Sequence, residues 1–302
     1  MIDLHCHSIF SDGTDSPEAL ALAADQAGLR ALALTDHDTL AGLERFMAAQ
    51  PQVATRLVPG IELSCRFMGR PLHMLGLFLD FRDPLLRQRV AFMRQQRLER
   101  NQAMVQRLQA KGIPITMADL AAEAPTDLIS RTHFARVLVR QRAAGSPEDA
   151  FRRLIGDDGP CYVPFPELVP QEAVRWIRDA GGLALVAHPG RGFPRGFRWD
   201  EAMLELKHQG VQGFEAYYPD YGPVEQSYFL ALAGKLDLVA CGGSDYHGGH
   251  KPGLRLGVGR GGLQVPDAAF EQLQALLAIR GENTLQIDDG MVKLQGCIPP
   301  AS

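Results

Sequence analysis

Seven short apolar runs divide the chain, and nearly all of them end in, or start from, an ionisable side chain: MIDLH, LRALALTDHD, RLVPGIELSC, HMLGLFLD, LALVAHPG, VQGFEAYY and LDLVACGGSDYH. Runs of this length between turn residues read as strands. Helix-patterned stretches lie between several of them. SPEALALAADQAG offers Ser16 as an N-cap, Pro17 at the first helical position and Gly28 at the end, and VPQEAVRWIRDAGG and GPVEQSYFLALAG repeat the design. Alternating strands and helices build a mainly parallel sheet, and at 302 residues a (β/α) barrel is its natural closure. Chemistry in such barrels gathers at the C-terminal ends of the strands. The polar residues of this chain fall there.

The first run leads into His5 and His7, with Asp12 in the SDGTDSP loop beyond. Residues i and i+2 of a strand share a face, so the two imidazoles project together, and Cys6 between them points away. The second run ends in Thr35-Asp36-His37-Asp38, the third carries Glu62, and the fourth starts at His73. The later ones close on His188, Glu215, and Asp245 with His247. A single histidine beside an apolar strand is ordinarily a hydrogen-bonded surface or core residue. So many ionisable groups at one barrel mouth would repel or desolvate one another unless cations neutralised them. His5, His7, Asp12, His37, Glu62, His73, His188, Asp245 and His247 are therefore read as metal ligands.

The alternation breaks between Arg82 and Phe165. A long Arg/Gln-rich helical stretch, DPLLRQRVAFMRQQRLERNQAMVQRLQAKG, is followed there by TMADLAAEA, RTHFARVLVRQRAAG and SPEDAFRRLIG. This segment holds 14 Lys or Arg against 9 Asp or Glu, in a chain whose net charge is −4. It reads as a basic helical insertion beside an acidic remainder, which suits a phosphate-gripping flap over a carboxylate-rich site. The domain reading is a discontinuous barrel of residues 1–81 and 166–290, a helical insertion over 82–165, and a tail over 291–302. Cys6, Cys65, Cys161, Cys241 and Cys297 are scattered, without a CxxC pair, so neither a disulfide framework nor a thiolate zinc site is expected. With no signal-like segment and no membrane-length apolar run, a cytoplasmic protein with no membrane role and no obligate protein partner is expected.

HCH, the Asp12 loop, TDHD, GIE, the lone His73, AHP and SDYH, in that order, resemble the PHP (polymerase and histidinol phosphatase) family, related to the amidohydrolases. The resemblance spans essentially the whole chain. It implies a distorted (β/α)₇ TIM-like barrel holding up to three divalent metals, often Mn²⁺, with Zn²⁺ or Fe²⁺ as alternatives. Carried over residue by residue, one metal takes His5, His7, Glu62 and Asp245, and a second takes Asp12, His37 and His247. A third shares Glu62 as a bridge with His73 and His188. Many members have His where this chain has Asp12, and a carboxylate there makes the second site harder and more favourable to Mn²⁺.

The insertion with SRTHFA resembles the subgroup of 3′,5′-nucleotide bisphosphate phosphatases and 5′→3′ exoribonucleases acting on short RNA. In that subgroup the insertion covers the mouth, and Ser130, Arg131 and His133 would face substrate phosphate. A serine cap and an arginine at a helix start also make an anion site on physical grounds. Arg191 and Arg195 are weaker candidates for phosphate or base contacts. The expected activity is metal-assisted removal of the 3′-phosphate from a nucleotide 3′,5′-bisphosphate, with Arg131 on the non-bridging oxygens. His133 would position the phosphate or protonate the leaving oxygen. Asp36 would orient a neighbouring imidazole or serve as a turn carboxylate. The alternatives are a 5′→3′ exonuclease on short 5′-phosphorylated oligonucleotides, a histidinol phosphate phosphatase, and a non-catalytic scaffold. A shut pocket favours a mononucleotide, and a mouth that continues past it favours a polymer.

Overall fold

The structure, a computed structural model, describes residues 1–124, 129–164, 166–194 and 196–279. One sheet holds seven strands in chain order: β1 (Ile2–Cys6), β2 (Ala31–Leu34), β3 (Arg56–Phe67), β4 (Arg70–Leu77), β5 (Leu183–Ala187), β6 (Gly213–Tyr217) and β7 (Val239–Gly242). Neighbours pair in parallel except at β4, which is antiparallel to both β3 and β5. Beyond β7 the chain returns to β1. Asp245 N donates to His5 O and His7 N to Tyr246 O, each at 2.9 Å, so the sheet nearly closes into a barrel.

The reversal at β4 has a local cause. Met68 and Gly69 both take positive φ, 49° and 74°, as the two central residues of a tight hairpin require. No crossover helix fits between β3 and β4, so β4 must return antiparallel. His73, near the start of β4 and opposite Ser64, thereby reaches the same barrel end as the closing residues of the other strands.

Helices clothe one face of the sheet: α1 (Pro17–Gln26), α2 (Leu43–Ala48), α7 (Pro170–Asp179), α8 (Trp199–His208) and α9 (Pro223–Leu236). Leu20, Phe46, Ile177, Met203 and Phe229 pack there against Leu34, Ile61 and Phe214. The other face buries Ile2, Ala33, Val58, Leu75 and Leu185 against Phe270 and Leu273 of a last helix over residues 267–279. The sequence reading did not find α2 or α8; neither starts from a residue whose side chain caps it.

The insertion comprises α3 (Pro84–Ala110), α4 (Met117–Glu123), α5 (Arg131–Arg140), α6 (Pro147–Ala150) and a π-turn over Phe151–Ile155. It owns a separate core of Met104, Leu108, Leu120, Phe134, Leu138 and Ile155. One helix serves both bodies: Leu86, Val90 and Met93 of α3 join the barrel core, while Met104 onward belongs to the insertion. Polar ties hold it over the mouth. Arg97 pairs with buried Asp38, Arg94 Nη1 donates to Thr39 Oγ1 at 2.7 Å, and Arg66 of β3 pairs with Asp157. The expected tail over 291–302, with Cys297, lies outside the described residues, as do Phe165 and Arg195.

Candidate metal centre

Glu62, fully buried in β3, is the hub of the site. Its Oε2 lies 3.0 Å from His5 Nε2, 3.2 Å from His7 Nε2 and 3.2 Å from His37 Nδ1. Its Oε1 lies 2.8 Å from His73 Nδ1 and 3.0 Å from His188 Nε2. Five imidazoles thus surround one carboxylate, delivered by the ends of β1, β2 and β5 and the start of β4. Asp245, just after β7, adds Oδ1 at 3.3 Å from His7 Nε2 and 3.6 Å from His5 Nε2. A second group forms on the loop side, where Asp12 Oδ1 is 3.2 Å from His247 Nε2 and Oδ2 is 3.9 Å from His37 Nε2. His7 reaches this group too, with Nδ1 3.6 Å from Asp12 Oδ1, so it stands between both. All nine ligand candidates meet at one barrel end.

The donor chemistry fits divalent cations. His247 Nδ1 lies 2.7 Å from the carbonyl oxygen of Asp245, which can only accept, so the ring proton sits on Nδ1. Nε2 then presents a lone pair to the Asp12 carboxylate, acceptor against acceptor. His5 repeats the pattern: Nδ1 is 3.0 Å from Glu215 Oε1, and Nε2 faces Glu62 Oε2 and His7 Nε2, each at 3.0 Å. The buried Nδ1 of His37 has no aligned hydrogen-bond partner, although Glu62 is near. Donors about 2.1 Å from a tetrahedral ion stand about 3.4 Å apart, close to the spacing seen here.

The electrostatics agree. Burial works against the ionised form of Glu62, yet the imidazoles of His37, His5 and His73 outweigh it and hold the carboxyl well below its usual range. Asp245 and Asp12 are likewise held down, against burial, by the surrounding imidazoles. Burial opposes charge on His7, but hydrogen bonds to Asp245 and Glu62 push it up to about 9. Burial wins at His37, which falls to about 4. The acids are ionised, and positive charge is wanted at their centre.

Supporting residues fix this arrangement. Glu215, fully buried in β6, takes the His5 Nδ1 proton through Oε1 and the backbone N–H of His188 through Oε2 at 2.7 Å. Tyr218 Oη and Lys251 Nζ donate to Asp245 Oδ2 at 2.7 and 2.6 Å, turning Oδ1 toward the histidines. Asp38, His188 and Asp245 all adopt positive φ (48°, 27° and 52°), local strain concentrated at the rim. Asp36 touches no imidazole. It accepts from Ser8 N, Ser8 Oγ and Ser11 Oγ, which makes it a carboxylate that shapes the β1 loop. The Cys6 thiol points away, to Ala33 O.

A cavity of about 460 Å³ opens above the ligands, lined by Asp12, His37, His73, His188, Asp245 and His247, with Thr132, Arg136, Arg191, His250 and Lys251 around it. It shares Pro71 and His73 with a smaller cavity of about 190 Å³ walled by Arg66, Arg97, Arg100, Ser130 and Arg131. The larger cavity of about 820 Å³ between α2, α3 and α4 is mainly apolar and contains no ligand candidate. Arg131 lines the smaller cavity, which shares the ligand candidate His73 with the larger one above the cluster. It lies under Phe151 and Tyr162, pairs with Asp157 at 2.5 Å, and lines the arginine pocket, because Ser130 and Arg131 face that side of the α5 start. Ser130 is the N-cap of α5, and its N–H donates to His133 Nδ1 at 3.0 Å. Arg191 lies at the metal pocket, with Nη1 2.8 Å from Tyr218 Oη and 3.3 Å from Asp245 Oδ2. The sequence reading missed Glu215 as a support for His5, and Thr132, Arg136, Tyr218 and Lys251 altogether, and it left His250 unassigned. His250 lies beside Asp12 O, with Nδ1 at 3.0 Å.

Comparison with known proteins adds a family to this geometry. A family model described as PHP domain matches residues 3–123. A 3′,5′-nucleoside bisphosphate phosphatase from Chromobacterium violaceum is 34% identical over 261 residues, 85% of this chain and 90% of the relative. The 5′-3′ exoribonuclease Rnm of Escherichia coli K12 is 32% identical over 249 residues, 81% of this chain and 84% of the relative. A crystal structure of a candidate metal-dependent phosphoesterase from Bifidobacterium adolescentis superposes with a TM-score of 0.72 at 31% identity, covering 90% of this chain and 95% of that one. No helix among the described residues is long and apolar enough to cross a membrane.

Proposed function

The chain belongs to the PHP domain family and is a metal-dependent phosphoesterase, and from that premise we propose that it removes the 3′-phosphate of nucleotide 3′,5′-bisphosphates. The observation that carries this reading is the pair of adjoining anion sites. One is the ligand cluster, and the other is the arginine pocket that shares Pro71 and His73 with it. A substrate with two phosphates on one nucleoside suits a ligand cluster with an arginine-lined cavity beside it. The relative named a bisphosphate phosphatase supports the same choice.

His5, His7, Asp12, His37, Glu62, His73, His188, Asp245 and His247 would hold the divalent cations. The hard Asp12 carboxylate among imidazoles favours Mn²⁺. When bound, such ions ionise water near neutral pH and offset phosphate charge. The protein's own part is orientation. Glu215 keeps the His5 proton on Nδ1, and Lys251 and Tyr218 aim Asp245. Ser130, Arg131, Arg97 and Arg100 bind the 5′-phosphate, and Asp157 fixes the Arg131 fork in advance. His133 accepts the Ser130 N–H at Nδ1, so its proton is on Nε2. Burial, with the Arg136 charge nearby, lowers its pKa. With Nδ1 taken by the Ser130 N–H, Nε2 is the atom His133 offers, to position a phosphate oxygen or to protonate the leaving oxygen. Nine competent ligand positions speak against a scaffold.

The test is a comparison, with Mn²⁺ added, of adenosine 3′,5′-bisphosphate, 3′-AMP, 5′-AMP and histidinol phosphate. The bisphosphate should have the highest kcat/KM, yielding 5′-AMP. If 3′-AMP or histidinol phosphate is turned over better, this reading fails.

A further inference from the structure

Three arginines of the smaller cavity are each held by a carboxylate. Arg66 and Arg131 share Asp157, Arg66 also reaches Glu167 at 3.1 Å, and Arg97 pairs with Asp38. Asp38 is unlike the other two acids. Its side chain is 1% exposed, against 45% for Asp157 and 29% for Glu167, and it directly follows the ligand candidate His37. Its Oδ1 accepts from Ser64 N at 2.8 Å, and its Oδ2 accepts from Ser64 Oγ at 2.8 Å and from Arg97 Nη2. Its own N–H donates to Glu62 O at 2.9 Å. One residue therefore joins the β2 loop that ends in His37, the strand that carries Glu62, and helix α3 of the insertion.

The cavity itself pushes Arg97 outward. Burial, with the charges of Arg97 and Arg131, lowers Arg100 to about 10, so these guanidinium groups repel one another. Asp38 holds Arg97 against that repulsion through Nη2. The buried Nε of Arg97 has no hydrogen-bond partner among the described residues. A buried donor without an acceptor is costly, and it is satisfied if an anion joins it. We propose that Asp38 sets the preference for a substrate with a second phosphate: by pairing with Nη2 it fixes the Arg97 guanidinium at the arginine pocket and leaves Nε for an oxygen of the 5′-phosphate. Asp38 is a positioning residue, acting on substrate only through Arg97. The inference rests on the bisphosphate reading, because a nucleotide without a 5′-phosphate does not use the arginine pocket.

Asp38→Asn isolates this role. The Ser64 N–H can only donate, so the amide oxygen takes the Oδ1 place. The NH₂ then donates to Ser64 Oγ and opposes the Arg97 fork, donor against donor. The loop keeps its ties, and asparagine tolerates positive φ better than most residues, so the variant should fold. Wild type, Asp38→Asn, Arg97→Ala and the double variant are assayed with Mn²⁺ on adenosine 3′,5′-bisphosphate and 3′-AMP, with thermal melting as the control for folding. The readout is the ratio of kcat/KM for the bisphosphate to that for 3′-AMP, in which damage common to both substrates cancels. Asp38→Asn should lower the ratio at least about tenfold, chiefly by raising KM for the bisphosphate. The double variant should match Arg97→Ala within about twofold, because the two side chains act as one unit. Asp38→Glu, which keeps the charge but displaces it by one methylene, should lower the ratio as well. An unchanged ratio in Asp38→Asn, or in Asp38→Glu if the Asn variant does not fold, overturns the inference. So does a double variant in which the two single losses multiply, since Asp38 then acts by a route other than Arg97. Wild type without a preference for the bisphosphate defeats the bisphosphate reading, and this inference with it.

Discussion

Replacing Glu215 by Gln tests the support beneath the ligand cluster. The change conserves shape and removes one acceptor. Both carboxylate oxygens are occupied, Oε1 with His5 Nδ1 at 3.0 Å and Oε2 with His188 N at 2.7 Å. The backbone N–H of His188 can only donate, so the amide oxygen must take that place and the NH₂ must face His5. His5 then has to accept at Nδ1, which moves its proton to Nε2, into the ligand cluster. In that tautomer His5 has no lone pair for a cation. The reverse amide orientation sets NH₂ against the His188 N–H and is no better. Losing a tautomer-fixing partner ordinarily costs about 10- to 100-fold in metal affinity, about 1.4–2.7 kcal/mol. Chelator-competition titrations with Mn²⁺ or Zn²⁺ on both proteins read this directly, with circular dichroism of the metal-free forms as the control for folding. A folded Glu215→Gln protein binding metal within about twofold of wild type would refute the reasoning.

Three other outcomes follow from the same geometry. His37→Ala removes a ligand from a loop end without emptying the core, so the fold should persist while kcat drops at least about a hundredfold; a smaller drop at saturating metal removes His37 from the ligand set. His7, pushed up to about 9, carries a proton at pH 7.5 that a metal must displace. Calorimetry in buffers of different ionisation enthalpy should therefore show at least one proton released, His5 also being held up by the Glu215 and Glu62 carboxylates against burial, and apparent affinity should rise as pH climbs from neutral toward about 9; binding without proton release contradicts this. Gly243→Ala would put a Cβ 2.5 Å from both Cβ and N of His5, so the end of β1 must shift, at about 1–3 kcal/mol of stability and with weakened metal binding. Equal melting temperatures and metal affinities for this variant and wild type would show the contact to be relieved without moving His5.

The nine ligand candidates were legible because strand alternation and the barrel rule depend only on local pattern. His5 and His7 could be placed on one face from spacing alone, and the Met68-Gly69 pair was available as the sign that β4 turns back. Glu215 was visible at a strand end, but nothing in one sequence separates a carboxylate that binds metal from one that holds a ligand's proton. The arginines were harder. Whether Arg131 or Arg136 faces the ligands depends on the rotation of α5 about its axis, which the insertion's own core fixes through Phe134 and Leu138. No local pattern encodes that docking. The pairing of Arg131 with Asp157, 26 residues on, is likewise a product of the folded insertion that no local pattern encodes.

The most direct measurement is anomalous X-ray scattering from crystals of the full chain grown with Mn²⁺. The account predicts two or three peaks at the barrel mouth, each within about 2.0–2.4 Å of donor atoms drawn from the nine residues, with Glu62 touching more than one. A mouth without peaks, or peaks that Glu62 does not touch, would contradict it.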